Sequence, residues 1–343
     1  MARYGVVTSY PTSLKVVGAD IVSVIRKLGH EAELYVGRVS PVDAVKKFNK
    51  AIVFMPFIPL SVATWIVLYS DYKKFGIPSV MYTTIEGVPK KQFVPRVAYE
   101  RGEFVANSKY TKEMLEKVDL NVVDIVYHGI NLDDVAKSVD RKKSVKKQLG
   151  ARVLFGTVAT TQPRKGLDKL ALIAKAVENK LPDAKFYVLT QPEGAVHFAG
   201  LKNVYVDTRY GSLKREEVLR LFSNFDYYLC TSHAEGFCLP VVEAQAFGTP
   251  VICARYPPLD EVTHPTANIF VQPIHMKYED FLHGILYTMY YYDVDEMAKA
   301  VEEAYLIYKN DRKKYNNMKR TVRNFAKKFD MMKVYPKLVK MVG

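Results

Sequence analysis

The chain has 343 residues, 49% hydrophobic and 25% charged, an ordinary globular composition and enough length for two domains at ~100–200 residues each. No apolar run reaches the ~18 residues of a membrane-crossing helix, the first ten residues lack the basic start and apolar stretch of a signal peptide, and the three cysteines (Cys230, Cys238, Cys253) form no Cys-x-x-Cys pair. These features argue against a disulfide framework or a zinc site and for a reducing cytoplasm, while the formal net charge of +14 sets up a field that attracts phosphate: nucleic acid, anionic lipid or nucleotide.

Short apolar runs at residues 4–8, 33–36, 51–55, 79–83, 104–106 and 122–126 read as strands separated by helix-like stretches. Within 61–75, Val62, Trp65, Ile66 and Tyr69 fall on one helical face. Residues 140–150 are polar and basic and read as a linker. A second series has strands at 153–158, 185–190, 203–206, 227–230 and 250–254, with helices at 167–178 and 213–225. Beyond about residue 277 the pattern is helical only. Basic residues cluster at Arg141, Lys142, Lys143, Lys146 and Lys147 and again over 309–340. There Tyr315, Phe325, Phe329 and Tyr335 are interleaved, a pattern that suits a membrane surface as well as nucleic acid. The predicted fold class is α/β: two facing, doubly wound parallel-sheet domains with a helical C-terminal tail. The cleft between such domains is the natural site.

The chemistry concentrates between residues 227 and 254. A strand runs into Thr231-Ser232-His233-Ala234, then Glu235-Gly236-Phe237-Cys238-Leu239-Pro240, then a helix closed by Gly248. Pro240 suits a first helical turn, where its missing N–H costs nothing. The N–H groups of Phe237, Cys238 and Leu239 therefore face outward at a helix N-terminus, and a diphosphate fits there. Glu235 and Glu243 flank this turn. A glutamate near a helix start often only complements the dipole, but a carboxylate also accepts two hydrogen bonds from a vicinal diol. One glutamate can then hold a sugar and the other a ribose.

This segment resembles the E-x7-E signature of retaining transferases of the GT-B fold, specifically glycosyltransferase family 4. The likeness continues through Glu243-Ala244-Gln245-Ala246-Phe247-Gly248-Thr249-Pro250-Val251-Ile252, back through the Gly211-Ser212-Leu213 loop, and to Val126-Tyr127-His128-Gly129-Ile130-Asn131 and Asn107-Ser108-Lys109-Tyr110. It implies two Rossmann-like domains: residues 1–143 for the acceptor and 148–325 for the nucleotide-sugar donor, with 326–343 as a helix packing back on the first. It also implies no cofactor and no required metal. The loop Thr160-Thr161-Gln162-Pro163-Arg164-Lys165-Gly166 resembles the family's R-x4-K-G, whose arginine and lysine hold the diphosphate. Lys165 and Gly166 match. Thr160 stands at the arginine position, and Arg164 either substitutes or points to solvent. Cys238 replaces a usual glycine. Donor contacts are expected from Gly236, Phe237, Cys238, Leu239, Glu243, Thr160 and Tyr210, and catalytic roles from Lys165, Arg164 and Glu235.

On the acceptor side, Lys15 and Gly18 lie in what reads as an opening loop at 9–20, and Glu86 follows the strand at 79–83, where it either orients an acceptor hydroxyl or is a solvated turn residue. His128 reads as either a site group or a buried junction residue. Asp293-Val294-Asp295 reads as a helix start rather than a metal pair. The function implied is metal-independent, retaining transfer of a sugar from a nucleoside diphosphate to a hydroxyl, lipid-linked or glycan. The basic tail would rest on an anionic membrane, and nucleic acid is not expected as a partner. A nucleotide-sugar epimerase, or a degenerate basic lipid- or nucleic-acid-binding module, are the alternatives.

Overall fold

The computed structural model describes residues 1–281 and 283–343. The first part of the chain forms β1 (Arg3–Thr8), β2 (Glu31–Val36), β3 (Lys50–Pro56), β4 (Ser79–Thr84), β5 (Gly87–Pro89), β6 (Phe104–Ala106) and β7 (Val122–Ile125). The second part forms β8 (Val153–Val158), β9 (Ala184–Leu189), β10 (Val204–Asp207), β11 (Tyr227–Cys230), β12 (Val251–Ala254), β13 (Ile269–Val271), β14 (Pro273–Asp280) and β15 (Ile285–Tyr292). Two six-stranded sheets result, ordered β2-β1-β3-β4-β6-β7 and β10-β9-β8-β11-β12-β13, and their strand pairs are parallel. The central strands β8, β11 and β12 are buried at every position because helices cover both faces, which is why they read as unbroken apolar runs. These are two Rossmann-like domains.

Three features depart from the sequence reading. Residues 9–20 are not a loop: the helix Thr12–Lys27 begins at Thr12. Gly18 is therefore a buried packing residue, and a Cβ there would lie 2.6 Å from Leu34 Cδ1. Pro273–Asp280 and Ile285–Tyr292 are not helical: they are β14 and β15, which form an antiparallel hairpin, and β15 pairs with β5 of the first domain. A Cβ on Gly87 would meet the Leu286 carbonyl oxygen at 2.1 Å, so only glycine lets the strands come this close. The basic stretch at 140–150 includes the short helix Ser144–Gln148, and Lys146 turns inward to Asp226, 2.6 Å away.

The C-terminal helices are Val294–Asn310, Arg312–Ala326, Met331–Val334 and Pro336–Met341. Asp293 caps the first, its Oδ1 accepting from the N–H groups of Asp295 (2.7 Å) and Glu296 (3.1 Å). Met331, Tyr335, Leu338 and Val339 pack into the first domain with Val6, Ile21, Ile25 and Phe54. Ile130 N–H donates to Phe329 O (2.8 Å) and Met331 N–H to Ile130 O (3.0 Å). Tyr315, Phe329 and Tyr335 are buried. Three of the four aromatics interleaved among the tail's lysines are thus core residues, and Phe325 is half-buried against the second-domain core. Among the described residues, no helix is long and apolar enough to cross a membrane.

Candidate active site

The loop after β8 and the loop after β11 lie against each other. Gly166 has φ +63°, and a Cβ there would sit 2.4 Å from Thr231 O, so glycine is required on both conformational and steric grounds. Thr231 Oγ1 donates to Lys165 O (2.9 Å) and His233 N–H donates to Arg164 O (2.7 Å). The hydroxyls of Tyr292 and Tyr256 hold the carbonyls of Thr231 (2.9 Å) and Ser232 (2.7 Å) from below. Together these bonds fix where the Arg164 and Lys165 side chains emerge.

Both cations converge on Glu235. Lys165 Nζ lies 2.5 Å from Glu235 Oε1, and Arg164 Nη1 lies 3.3 Å from Oε2 and 2.9 Å from Ala234 O. Arg164 Nη2 reaches across the cleft to Glu86 Oε1 at 3.0 Å. Burial opposes ionisation of Glu235, yet Lys165 and Arg164 hold its carboxyl down at about 2. Arg164 therefore neither points to solvent nor stands free at a phosphate site. It is an interdomain tie, and Glu86 is its partner rather than an unengaged acceptor-side base. Among the described residues, Thr160 Oγ1 is buried without a hydrogen-bond partner.

The helix after the turn is Leu239–Ala246, with Pro240 in its first turn. Among the described residues, the N–H groups of Phe237, Cys238 and Leu239 donate to no other part of the chain. Cys238 caps the helix at φ 73° and ψ 67°, a left-handed conformation that glycine adopts freely and cysteine does not. Its Sγ is 4.0 Å from that of Cys230. Gly236 is packed against the first domain: a Cβ there would lie 2.4 Å from Thr84 Oγ1, and its carbonyl accepts from Ser108 Oγ at 2.9 Å.

Glu243 is buried, and its carboxylate is engaged by the guanidinium of Arg215, the first residue of the helix Arg215–Asn224. Tyr210 sits in the combined field of Lys165, Glu243, Glu235 and Arg164. Burial, Glu243 and Asp134 push the Asp20 carboxyl up to about 7, with Arg215 opposing. Asp20 belongs to the first domain and Glu243 to the second, so this group spans the cleft. Lys15 is exposed, on the same helix face as Thr12, which approaches the Gly211 turn. His128 lies inside the junction. Tyr82 Oη is 2.7 Å from its Nδ1, and Asn107 Nδ2 is 3.1 Å from its Nε2. Because Asn107 can only donate from Nδ2, the proton is on Nδ1, and Tyr82 passes its own to Val126 O (2.7 Å). Burial pushes the His128 imidazole down to about 3, which leaves it neutral.

Sequence reasoning missed Arg215, Asp20 and Glu261. The last accepts from the N–H groups of Lys109 and Tyr110, both at 2.9 Å, capping a first-domain helix from the second domain. Each owes its position to a partner far away in sequence, and no local pattern marks it.

A family model described as "Glycosyl transferases group 1" matches residues 138–325. The chain is 28% identical over 98% of its length to the uncharacterized glycosyltransferase 335 of Sulfolobus islandicus rod-shaped virus 1, and spans 99% of that protein. It is 28% identical to the D-inositol 3-phosphate glycosyltransferase of Mycobacterium sp. (strain JLS) over 46% of this chain, but only 38% of that relative. Among solved structures it resembles sucrose-phosphate synthase from Thermosynechococcus elongatus, with TM-score 0.71, 14% identity, and coverage of 99% and 98% of the two chains. It also resembles trehalose-6-phosphate from E. coli bound with UDP-2-fluoro glucose, with TM-score 0.70, 11% identity, and 99% of each chain covered. The chain belongs to the glycosyl transferases group 1 and is a glycosyltransferase of the GT-B fold.

Proposed function

We propose that this enzyme transfers a sugar from a nucleoside diphosphate to an acceptor hydroxyl with retention of anomeric configuration, and that protein cations, with no required metal, offset the charge of the leaving group. The observation that carries this reading is the Lys165–Glu235 contact of 2.5 Å beside a helix N-terminus whose amides are unpaired. Lysine, amides and helix dipole all favour an anion there. Glu235, held ionised by two cations, suits hydrogen bonding to sugar hydroxyls better than nucleophilic attack. In a front-face displacement, the bond from the anomeric carbon to the β-phosphate oxygen breaks. The acceptor oxygen bonds to that carbon from the same side, and its proton passes to the departing phosphate. No cofactor takes part.

Product NMR with an identified donor tests the stereochemistry, and an inverted anomer would sink it. Lys165→Ala should lower turnover by about a hundredfold or more, with no sensitivity to chelators before or after the change. Full activity in that variant overturns the assignment. A lipid-linked acceptor at an anionic membrane accords with the net charge of +14, and a cytoplasmic location with the free cysteines Cys230, Cys238 and Cys253. With Tyr315, Phe329 and Tyr335 buried, the membrane contact rests chiefly on electrostatics, and vesicle binding should fall steeply at high salt.

One observation favours a second reading, a non-catalytic nucleotide-binding relative: Thr160 carries no charge and its hydroxyl is orphaned. Slow donor hydrolysis without acceptor distinguishes the two, since a non-catalytic protein shows none.

A further inference from the structure

Around the donor turn, Arg164, Lys165 and Arg215 face Glu86, Glu235 and Glu243, and each cation is already paired. The formal charge of this group is therefore zero. Beyond the amides of the turn, a side-chain cation contributes most to holding a diphosphate when it turns from its carboxylate to the ligand. Three observations single out one of them. The Arg164 side chain is 11% exposed and the Lys165 side chain 15%, whereas that of Arg215 is 34% exposed. Arg164 is fastened by three separate acceptors, but Arg215 is held by Glu243 alone among its described hydrogen-bond partners. Glu243 rises from the same helix whose N-terminal amides are unpaired, and helical side chains lean towards the N-terminus. That brings the guanidinium to the flank of the anion turn.

We infer that Arg215 is the second cation of the donor site: its guanidinium swings from Glu243 onto a phosphate oxygen of the bound nucleoside diphosphate, and Glu243 is its resting partner. This rests on the functional reading above and adds to it a residue outside the β8 loop. It also gives Glu243 a duty besides ribose binding, since the Oε1 that Arg215 engages is freed for a second hydroxyl when the arginine departs. A guanidinium is suited to the exchange because its planar fork binds carboxylate and phosphate alike, two donors at a time.

The test uses inorganic pyrophosphate and a panel of nucleoside diphosphates, with affinity read by calorimetry on the full-length protein. Arg215→Ala should weaken pyrophosphate and diphosphate binding by about tenfold to a hundredfold, and Arg215→Lys should weaken it less. The alternative is that Arg215 merely masks the charge of Glu243, and the double variant Arg215→Ala/Glu243→Gln separates the two. If the arginine itself touches phosphate, removing the glutamate charge does not restore affinity. If it only masks, affinity returns, and the inference falls. The double variant also removes the unpaired buried carboxylate that could unfold the single one. Undiminished binding in Arg215→Ala overturns this inference alone, whereas no pyrophosphate or nucleoside diphosphate binding by the unmodified protein overturns the functional reading with it.

Discussion

Arg164 Nη2 and Glu86 Oε1, which belong to different domains, lie 3.0 Å apart, and the same guanidinium also touches Glu235 and Ala234 on its own side. Removing it strips the poorly solvated Glu86 carboxylate of its ion pair and leaves Glu235 with Lys165 alone. We expect Arg164→Ala to cost about 3–5 kcal/mol of stability. Glu86→Gln, which leaves Arg164 its other acceptors, should cost about 1–2 kcal/mol. Denaturant unfolding of both variants checks the order, and equal losses would mean that the tie is not centred on the arginine.

Asp20 gives a pH dependence with a definite sign. Its carboxyl is raised to about 7 from an ordinary value of 3.8, first by burial. A raised acid favours the folded state below its unfolded value, and that contribution is lost as pH rises from 3.8 to about 7. Asp20→Asn should therefore gain on the unmodified protein across that window and level off above it, by roughly 2–4 kcal/mol at pH 8. Glu235 acts in the opposite sense. Its lowered carboxyl supplies stability above 4.5 that disappears as pH falls towards 2, in both proteins alike. A constant difference between Asp20→Asn and its parent from pH 4 to 8 would refute the assignment.

Cys238 holds a left-handed backbone with φ 73°. A β-branched residue there adds a clash to an already unfavourable conformation. Cys238→Val should lose about 2 kcal/mol or more, while Cys238→Gly stays within about 1 kcal/mol, trading relief of strain against lost side-chain burial. Thermal unfolding ranks them, and a valine variant more stable than the glycine one contradicts the conformation.

The hairpin can be unfastened at one atom. Gly87→Ala places a methyl 2.1 Å from Leu286 O and 2.6 Å from Tyr287 Cα, so β15 must leave β5. The expected cost is about 1–3 kcal/mol. Amide exchange should quicken along Ile285–Tyr292, where Tyr290 N–H otherwise donates to His233 O at 2.8 Å. Unchanged exchange there would show that the hairpin does not depend on its first-domain neighbour.

What could be read beforehand follows from what each residue answers to. The strand at 153–158 matches β8 because a parallel strand covered on both faces must be apolar throughout. The turn from Glu235 to Pro240 was legible because proline, glycine and paired glutamates are local signals. The hairpin was not. Ile285–Tyr292 is an apolar, tyrosine-rich run whose period does not distinguish strand from helix, and β14 exposes most of its side chains. The tail aromatics misled for a related reason: Tyr315 and Phe329 lie on inner faces between lysines that point outward, and composition reports the mixture without the facing. Nothing local singles out Arg215, because its partner Glu243 is 28 positions away.

The last residues also set an order of events. Met331, Tyr335, Leu338 and Val339 complete the apolar centre around Val6, Ile21 and Phe54. The first sheet therefore waits for residues made long after its own strands. A nascent chain that had not yet exposed residues 331–339 would carry a first domain with one face still open to chaperones and proteases. The first domain is thus completed after the second has been made, and the cleft takes its final form only once residues 331–339 have docked.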